Sequence, residues 1–409
     1  MKAAVTTLAN GLRVVSYPTP GAETAAIGLY ADTGSRFEEP AVNGIAHLFE
    51  HMVFKGTATR SARDIAEAIE DVGGQLNAYT ARDMTAFHAR VLGDDVPLAF
   101  ELIADLIRAP RFDPDDLARE KDVVLSELGE ARDTPDDIVF DHLQEAAYPD
   151  QPLGRSILGS EASLADIEPA HLSDWLEAQF RGEACILAAA GKVDHDALVR
   201  MAEARLGYLP SGARPAGERA IYAGGTRHDR RRFEQAHLTF GYEAAAHASP
   251  DYYPLMLFAT AAGGGMSSRL FQELREERGL AYSVYSTLTP YADTGLFSVY
   301  LATANNNAPR AGALALQVLG ETASGLDAAE LARAKAQIKA GLLMSLEGCA
   351  GQADYLARQM LVHGHPVEPA EVVAKVDTCT VDEVREAGRR MLAGPVARAH
   401  VGAIKLQAA

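Results

Sequence analysis

The hydrophobic and polar positions of the first 130 residues alternate between short apolar runs and longer stretches with helical spacing. Strands are predicted over residues 11–16, 24–31, 75–79 and 84–91. Helices are predicted over residues 44–54, 61–72, 94–107 and 113–130. Ser61 is the expected N-cap of the second helix, and Gly73 and Gly74 end it. Strands and helices mix without strict βαβ alternation, so we predict an α+β fold, with helices on one face of a mainly antiparallel sheet.

A turn-rich stretch over residues 210–225 predicts a linker between two domains, 1–209 and 226–409. The two halves resemble each other in the order of their elements and in short segments. Residues 112–121 are similar to 325–335, and residues 76–79 are similar to 280–283. We interpret the chain as a duplicated domain. Chance similarity between Ala-rich helices is the alternative.

Composition limits the class of protein. The chain has 409 residues, of which 48% are hydrophobic and 23% charged, which is typical of a soluble globular protein. No apolar run approaches the roughly 20 residues of a membrane span. The net charge of −18 argues against nucleic-acid binding. Three widely spaced cysteines make a disulfide framework unexpected, and a reducing cytoplasm is the predicted location.

The segment His47-Leu48-Phe49-Glu50-His51 is the strongest chemical signal. Residues i and i+4 of a helix lie on one face, so both imidazoles can bind one metal ion with Glu50 beside it. This H-x-x-E-H order is the inverzincin signature and predicts one zinc ion per chain. Glu50 need not bind the ion, and we expect it to act as the general base on the attacking water. A pair of core histidines is the structural alternative.

Two histidines leave a catalytic zinc site incomplete, because such sites take three protein ligands. The helix predicted over 113–130 offers Glu120 and Glu127, which are two turns apart on one face. One can bind the metal, and the other can hold a ligating imidazole. Ala334 and Gly341 occupy the corresponding positions of the second half. The metal chemistry is therefore predicted in the first half alone.

H-x-x-E-H followed about 75 residues later by two glutamates seven apart resembles the pitrilysin/insulinase family of zinc peptidases, and best matches its processing-peptidase branch. Residues 44–57, 74–80, 138–143 and 151–159 extend the resemblance. It implies that Glu127 is the third zinc ligand and Glu120 its supporting carboxylate. It also implies two homologous domains, of which only the first binds metal.

The resemblance assigns further residues to the substrate. Arg275 and Tyr282 match a pair that holds a substrate carbonyl and stabilises the oxyanion, although a surface ion pair is the alternative for Arg275. The chain combines features of both processing-peptidase subunits, which suggests a homodimer.

Peptide binding in the family resembles the addition of a strand to a sheet edge, which points to Asn77 and Ala78. Asp137 and Asp141 match acidic positions that bind a substrate arginine. An ordinary strand asparagine and a solvated acidic surface are the respective alternatives.

Together these features predict a cytoplasmic zinc endopeptidase of bacterial type that cleaves extended peptides or unfolded segments near basic residues. Two alternatives stay open. The chain could be a noncatalytic core subunit of a larger complex, or a catalytic subunit that needs a partner chain. The intact set His47, Glu50, His51 and Glu127 argues against the first, and Arg275 with Tyr282 argues against the second.

Overall fold

The computed structural model describes residues 2–403. Its strands are β1 (Ala4–Thr7), β2 (Arg13–Pro18), β3 (Thr24–Ala31), β4 (Gln75–Thr80), β5 (Thr85–Leu92), β6 (Cys185–Gly191), β7 (Gly225–Asp229), β8 (Gln235–Ala244), β9 (Ser283–Pro290), β10 (Gly295–Ala304) and β11 (Ala397–Val401). Its α-helices are α1 (Ile45–Val53), α2 (Ala62–Glu70), α3 (Val96–Arg108), α4 (Pro114–Asp133), α5 (Pro135–Ala147), α6 (Glu161–Asp166), α7 (Pro169–Gln179), α8 (His195–Leu206), α9 (Tyr252–Gly263), α10 (Ala308–Gly325), α11 (Ala328–Ser345), α12 (Cys349–His363), α13 (Pro369–Thr378) and α14 (Val381–Leu392).

The strands form two sheets of similar design. The first has six strands in the order β1-β2-β6-β3-β5-β4, and the second has five in the order β7-β11-β8-β10-β9. Neighbouring strands are antiparallel except for β2 with β6 and β7 with β11. The predicted α+β class is confirmed. Strand β4 lies at an edge of the first sheet, and β9 lies at the equivalent edge of the second.

Each sheet has apolar side chains on both faces, in strict alternation along the strands. In the first sheet, Leu29 and Leu187 belong to the core shared with α1 and α3. Their neighbours Tyr30 and Ile186 point to the other face and pack against Leu356 of α12. A main helical layer thus covers one face of the sheet, and a single helix covers the other.

The covering helix comes from the opposite half of the chain in both cases. Helix α12 packs on β6, β3 and β2 of the first sheet, and α5 packs on β11, β8 and β7 of the second. The first compact unit therefore comprises residues 2–128, 156–218 and 343–368, and the second comprises 129–155, 219–342 and 369–403. The predicted domains 1–209 and 226–409 are continuous, whereas the compact units exchange one helical segment each.

Local signals explain why the elements near the zinc motif begin where they do. Ser61 caps α2 by accepting from the Asp64 N–H, and the Asp64 carboxylate accepts from the Ser61 N–H in return. Gly44 precedes α1 with φ of 96°, a left-handed conformation that favours glycine. Within residues 2–403, no helix is long and apolar enough to cross a membrane.

Candidate metal centre

A buried carboxylate fixes the start of the helix that carries the motif. Glu38 is 3% exposed, and its two carboxylate oxygens accept hydrogen bonds from the Gly44 N–H at 2.8 Å and the Ala46 N–H at 2.9 Å. The Asn43 side chain also donates to Glu38, at 2.6 Å. These bonds satisfy donors that the first turn of a helix leaves unpaired, and the negative charge suits that end of the helix dipole.

Helices α1 and α4 bring three potential metal ligands together. The ligand atoms of His47, His51 and Glu127 all lie within 4.8 Å of one another, the one such group of three among the described residues. Glu127 Oε2 is 3.9 Å from His47 Nε2 and 3.8 Å from His51 Nε2. Both separations are shorter than twice the zinc–ligand bond of roughly 2.1 Å.

The chemistry of the three groups fits zinc. Burial, followed by the neighbouring His51, lowers the pKa of His47 to about 4, so His47 is neutral at pH 7 and can donate a nitrogen lone pair. Glu127 Oε2 is buried and accepts no hydrogen bond within the described part of the chain. A buried carboxylate oxygen requires a partner, and a cation bound beside the two imidazoles would supply it.

Glu120 orients the imidazole of His51 by contacting its Nδ1 atom. Its Oε2 is 3.1 Å from His51 Nδ1, and its Oε1 is 2.7 Å from Lys55 Nζ. A carboxylate only accepts, so Nδ1 of His51 carries the proton and Nε2 is left to face Glu127. Glu120 is 7% exposed, and its two partners compensate the cost of burying its charge.

Glu50 lies on α1 beside this group and contacts a different element. Its Oε2 accepts a 2.6 Å hydrogen bond from the Thr80 hydroxyl at the end of β4. Burial raises the pKa of the Glu50 carboxyl, and the bond from Thr80 opposes that rise. A carboxyl with a raised pKa is suited to accept a proton and to return it.

The edge strand β4 carries the two residues assigned to the peptide. Asn77 is exposed, and its Oδ1 accepts a 2.8 Å hydrogen bond from the Ala78 N–H. That amide therefore points away from β5, toward the open side of the strand. A cavity of about 600 Å³ opens beside the first half of β4, with Phe54, Leu76, Asn77 and His88 among its lining residues.

Arg275 and Tyr282 belong to the second compact unit. Arg275 lies in a π-helix, Phe271–Glu276, a form that occurs frequently at functional sites. Its guanidinium carbon is 4.7 Å from the centre of the Phe271 ring and 4.8 Å from that of Tyr282. The Glu276 carboxylate is 3.7 Å from Arg275 Nε. Tyr282 is 73% exposed, so the pair is accessible to a ligand.

Asp137 and Asp141 lie four residues apart on α5, in the second compact unit as well. Asp137 is exposed and Asp141 is half-buried. The structure thus brings His47, His51, Glu127, Glu120 and Glu50 together. It places Asn77 and Ala78 on the same edge strand as Thr80, and puts the remaining four predicted site residues in the other unit.

Three residues with evident roles escaped the sequence reasoning. Glu38 caps α1, Lys55 pairs with Glu120, and Thr80 binds Glu50. The contacts of Lys55 and Thr80 join positions that are distant in the chain, whereas Glu38 lies only six and eight residues before the amides it binds. No local pattern marks Glu38 or Thr80. Lys55, four residues after His51 and directly beyond the predicted helix, carried the one available signal.

Comparison with known proteins identifies the family. Residues 13–161 match the family model described as insulinase (peptidase family M16), and residues 166–338 match that described as the peptidase M16 inactive domain. Together with relatives at 34–39% identity over nearly the whole chain, these matches show that the chain belongs to the M16, or pitrilysin/insulinase, family of zinc peptidases.

Three individual relatives illustrate how similar this chain is to other members of the family. An uncharacterized zinc protease of Rickettsia bellii is 34% identical, covering 97% of each chain. An uncharacterized zinc protease of Mycobacterium tuberculosis is 39% identical, over 95% of this chain and 90% of the relative. The mitochondrial-processing peptidase subunit beta of Lentinula edodes is 35% identical, over 95% of this chain and 87% of the relative.

Solved structures share the fold. A crystal structure of a peptidase M16 inactive domain from Pseudomonas fluorescens has a TM-score of 0.92 at 23% identity, covering 100% of this chain and 99% of that one. A protease from Helicobacter pylori has a TM-score of 0.90 at 20% identity, covering 98% of this chain and 99% of that one.

Proposed function

We propose that this chain is a zinc endopeptidase that cleaves extended peptides or unfolded segments. Three potential metal ligands, His47, His51 and Glu127, converge beside Glu50, a glutamate that is not one of the three. This convergence is the observation that carries the proposal. A noncatalytic member of the family would have no use for a general base held next to a complete ligand set.

In the proposed reaction, His47 Nε2, His51 Nε2 and a carboxylate oxygen of Glu127 would hold the ion. Zinc, when bound, supplies Lewis-acid activation of water and of the scissile carbonyl. Glu50 takes the proton from the attacking water and passes it to the leaving amine. Glu120 keeps His51 in the correct tautomer throughout.

The peptide is proposed to pair with β4 as an added strand. The Ala78 N–H faces the open edge, and the Asn77 side chain that accepts from it can turn toward an incoming peptide. The cavity beside β4 gives side chains of that peptide room. The resemblance assigns a substrate carbonyl to Arg275 and the oxyanion to Tyr282.

The proposed preference for basic residues rests on Asp137 and Asp141, which share one face of α5 as a guanidinium requires. The double variant Asp137→Asn with Asp141→Asn should reduce the ratio of kcat/KM for an arginine peptide to that for its glutamine counterpart. Asp122→Asn, at an exposed position of α4, is the control. An unchanged ratio in the double variant would remove the basic preference from the proposal.

The activity itself is tested with Glu50→Gln. Zinc content should stay at one ion per chain, while cleavage of a quenched basic peptide falls at least about 100-fold, since general-base catalysis contributes that much or more. Glu67→Gln, at an exposed position of α2, should cleave normally. A wild-type protein that binds zinc but cleaves no peptide when tested alone, at any oligomeric state found by sizing, would instead favour a noncatalytic or partner-dependent role.

The homodimer and the cytoplasmic location stay predictions. Sizing of the purified protein tests the first, and fractionation of the source cells tests the second.

A further inference from the structure

The Glu50 carboxylate is held by one side chain. Thr80 Oγ1 lies 2.6 Å from Glu50 Oε2, within the range of a strong hydrogen bond to a charged acceptor. The next acceptor near this hydroxyl, the Ala46 carbonyl oxygen, is 3.4 Å away. The hydroxyl has one proton, so the shorter contact takes it. Among the residues that the structure describes, no second group donates to this carboxylate.

The strand determines where the Thr80 hydroxyl can point. Side chains alternate along β4, and Leu76 and Ala78 pack against the core that contains α1. Thr80 shares their face of the strand and therefore meets Glu50. Pairing with Thr85 of β5 fixes its backbone, and the branched side chain restricts rotation about χ1. The donor is thus rigid, whereas the long glutamate side chain is not.

We infer that Thr80 is the positioning residue of the general base. It ties Oε2 of Glu50 to the edge strand and leaves Oε1 to meet the reacting water. The inference rests on the proposed function and adds that the base is aligned by the same strand that is proposed to receive the peptide. The general base and the bound peptide would then both be positioned by strand β4.

The test compares two substitutions at one position. Thr80→Val keeps the shape and removes the hydroxyl, whereas Thr80→Ser keeps the hydroxyl. Thr80→Val should lower kcat about 10- to 100-fold with little change in KM or zinc content, since hydrogen bonds to charged groups have effects of that size. Thr80→Ser should retain most of the wild-type kcat. Thr7→Val is the matched control, because Thr7 is exposed and also ends an edge strand, β1.

A second readout does not depend on activity. In crystal structures of the peptide-free proteins, the Glu50 carboxylate should occupy one position in wild type and Thr80→Ser, and move or split in Thr80→Val. An unmoved carboxylate in Thr80→Val, an unchanged kcat, or an equal loss in Thr80→Ser would overturn the inference. If wild type cleaves nothing, the proposed function fails while the crystallographic comparison still decides the role of Thr80.

Discussion

Helices α4 and α11 occupy corresponding places in the two halves of the chain, yet they meet their surroundings differently. Glu120 of α4 is buried with a lysine and an imidazole as partners, whereas Ala334 of α11 is 3% exposed within an apolar core and needs none. Glu127 faces two histidines, while Gly341 faces open space. One framework can therefore hold a cluster of potential metal ligands or none. The difference lies in the two side chains at these positions: α4 carries carboxylates, which need partners where they are buried, and α11 carries none there.

The largest expected effect comes from removing Glu127, the proposed metal ligand for which α11 has no counterpart. Glu127→Ala leaves two imidazoles, too few for a stable zinc site, so the dialysed protein should contain almost no zinc and cleave no peptide. Metal analysis by mass spectrometry measures the loss. Glu130→Ala, three residues further along α4 and exposed, should keep its zinc. Full zinc occupancy in Glu127→Ala would show that α4 supplies no ligand.

The two covering helices, α12 and α5, should contribute equally to the stability of the two units. Leu356 of α12 and Leu143 of α5 are each 1% exposed, and each packs on the sheet face opposite the main helical layer. Either substitution to alanine should lower the free energy of unfolding by about 2–5 kcal/mol. Chemical denaturation measures it. A small effect in one unit alone would mean that its helix is not part of the core there.

Glu120→Gln keeps the shape of the side chain but removes the charge that faces Lys55 and His51. Zinc affinity should fall about 10- to 100-fold, the usual cost of losing an outer-shell partner. Competition with a fluorescent chelator gives the affinity. An affinity equal to wild type would make the pairing with His51 dispensable.

The smallest effect is expected in α11, which lacks the two glutamates of α4. Gly341 is exposed within α11, and a methyl group there would meet no atom within 4 Å. Gly341→Ala should stabilise the protein by about 0.5–1 kcal/mol through helix propensity. Thermal unfolding tests this, and zinc content should not change. A destabilised variant would show that Gly341 has a packing role that the open space does not reveal.

Much of the framework was predictable because its signals are local. Residues 24–31 form a strand as predicted, and Ser61 caps α2 as its sequence indicates. The spacing of His47 and His51 placed both imidazoles on one face of α1. A helix was predicted over 113–130, and α4 runs from Pro114 to Asp133 with Glu120 and Glu127 directed at the histidines.

What the sequence could not supply are contacts that depend on the three-dimensional path of the backbone. The amphipathic pattern of α5 says that one face is buried, but not which sheet covers it. The bond between Thr80 and Glu50 depends on the register of β4 against β5, which no local pattern encodes. Glu38 looks like any loop glutamate until the chain folds it over the start of α1. Such residues become visible only once the backbone is in place.

Helices α5 and α12 each pack on the sheet formed by the other half of the chain. The time at which each sheet is covered therefore depends on the order of synthesis. All six strands of the first sheet are complete by Gly191, but its second face is closed only by α12, which ends at His363. Every residue up to the end of α12 must leave the ribosome before that face is shielded, and until then an apolar surface is open to chaperones and to other nascent chains. A chain that stops before α12 would therefore leave this apolar face exposed and be prone to aggregate.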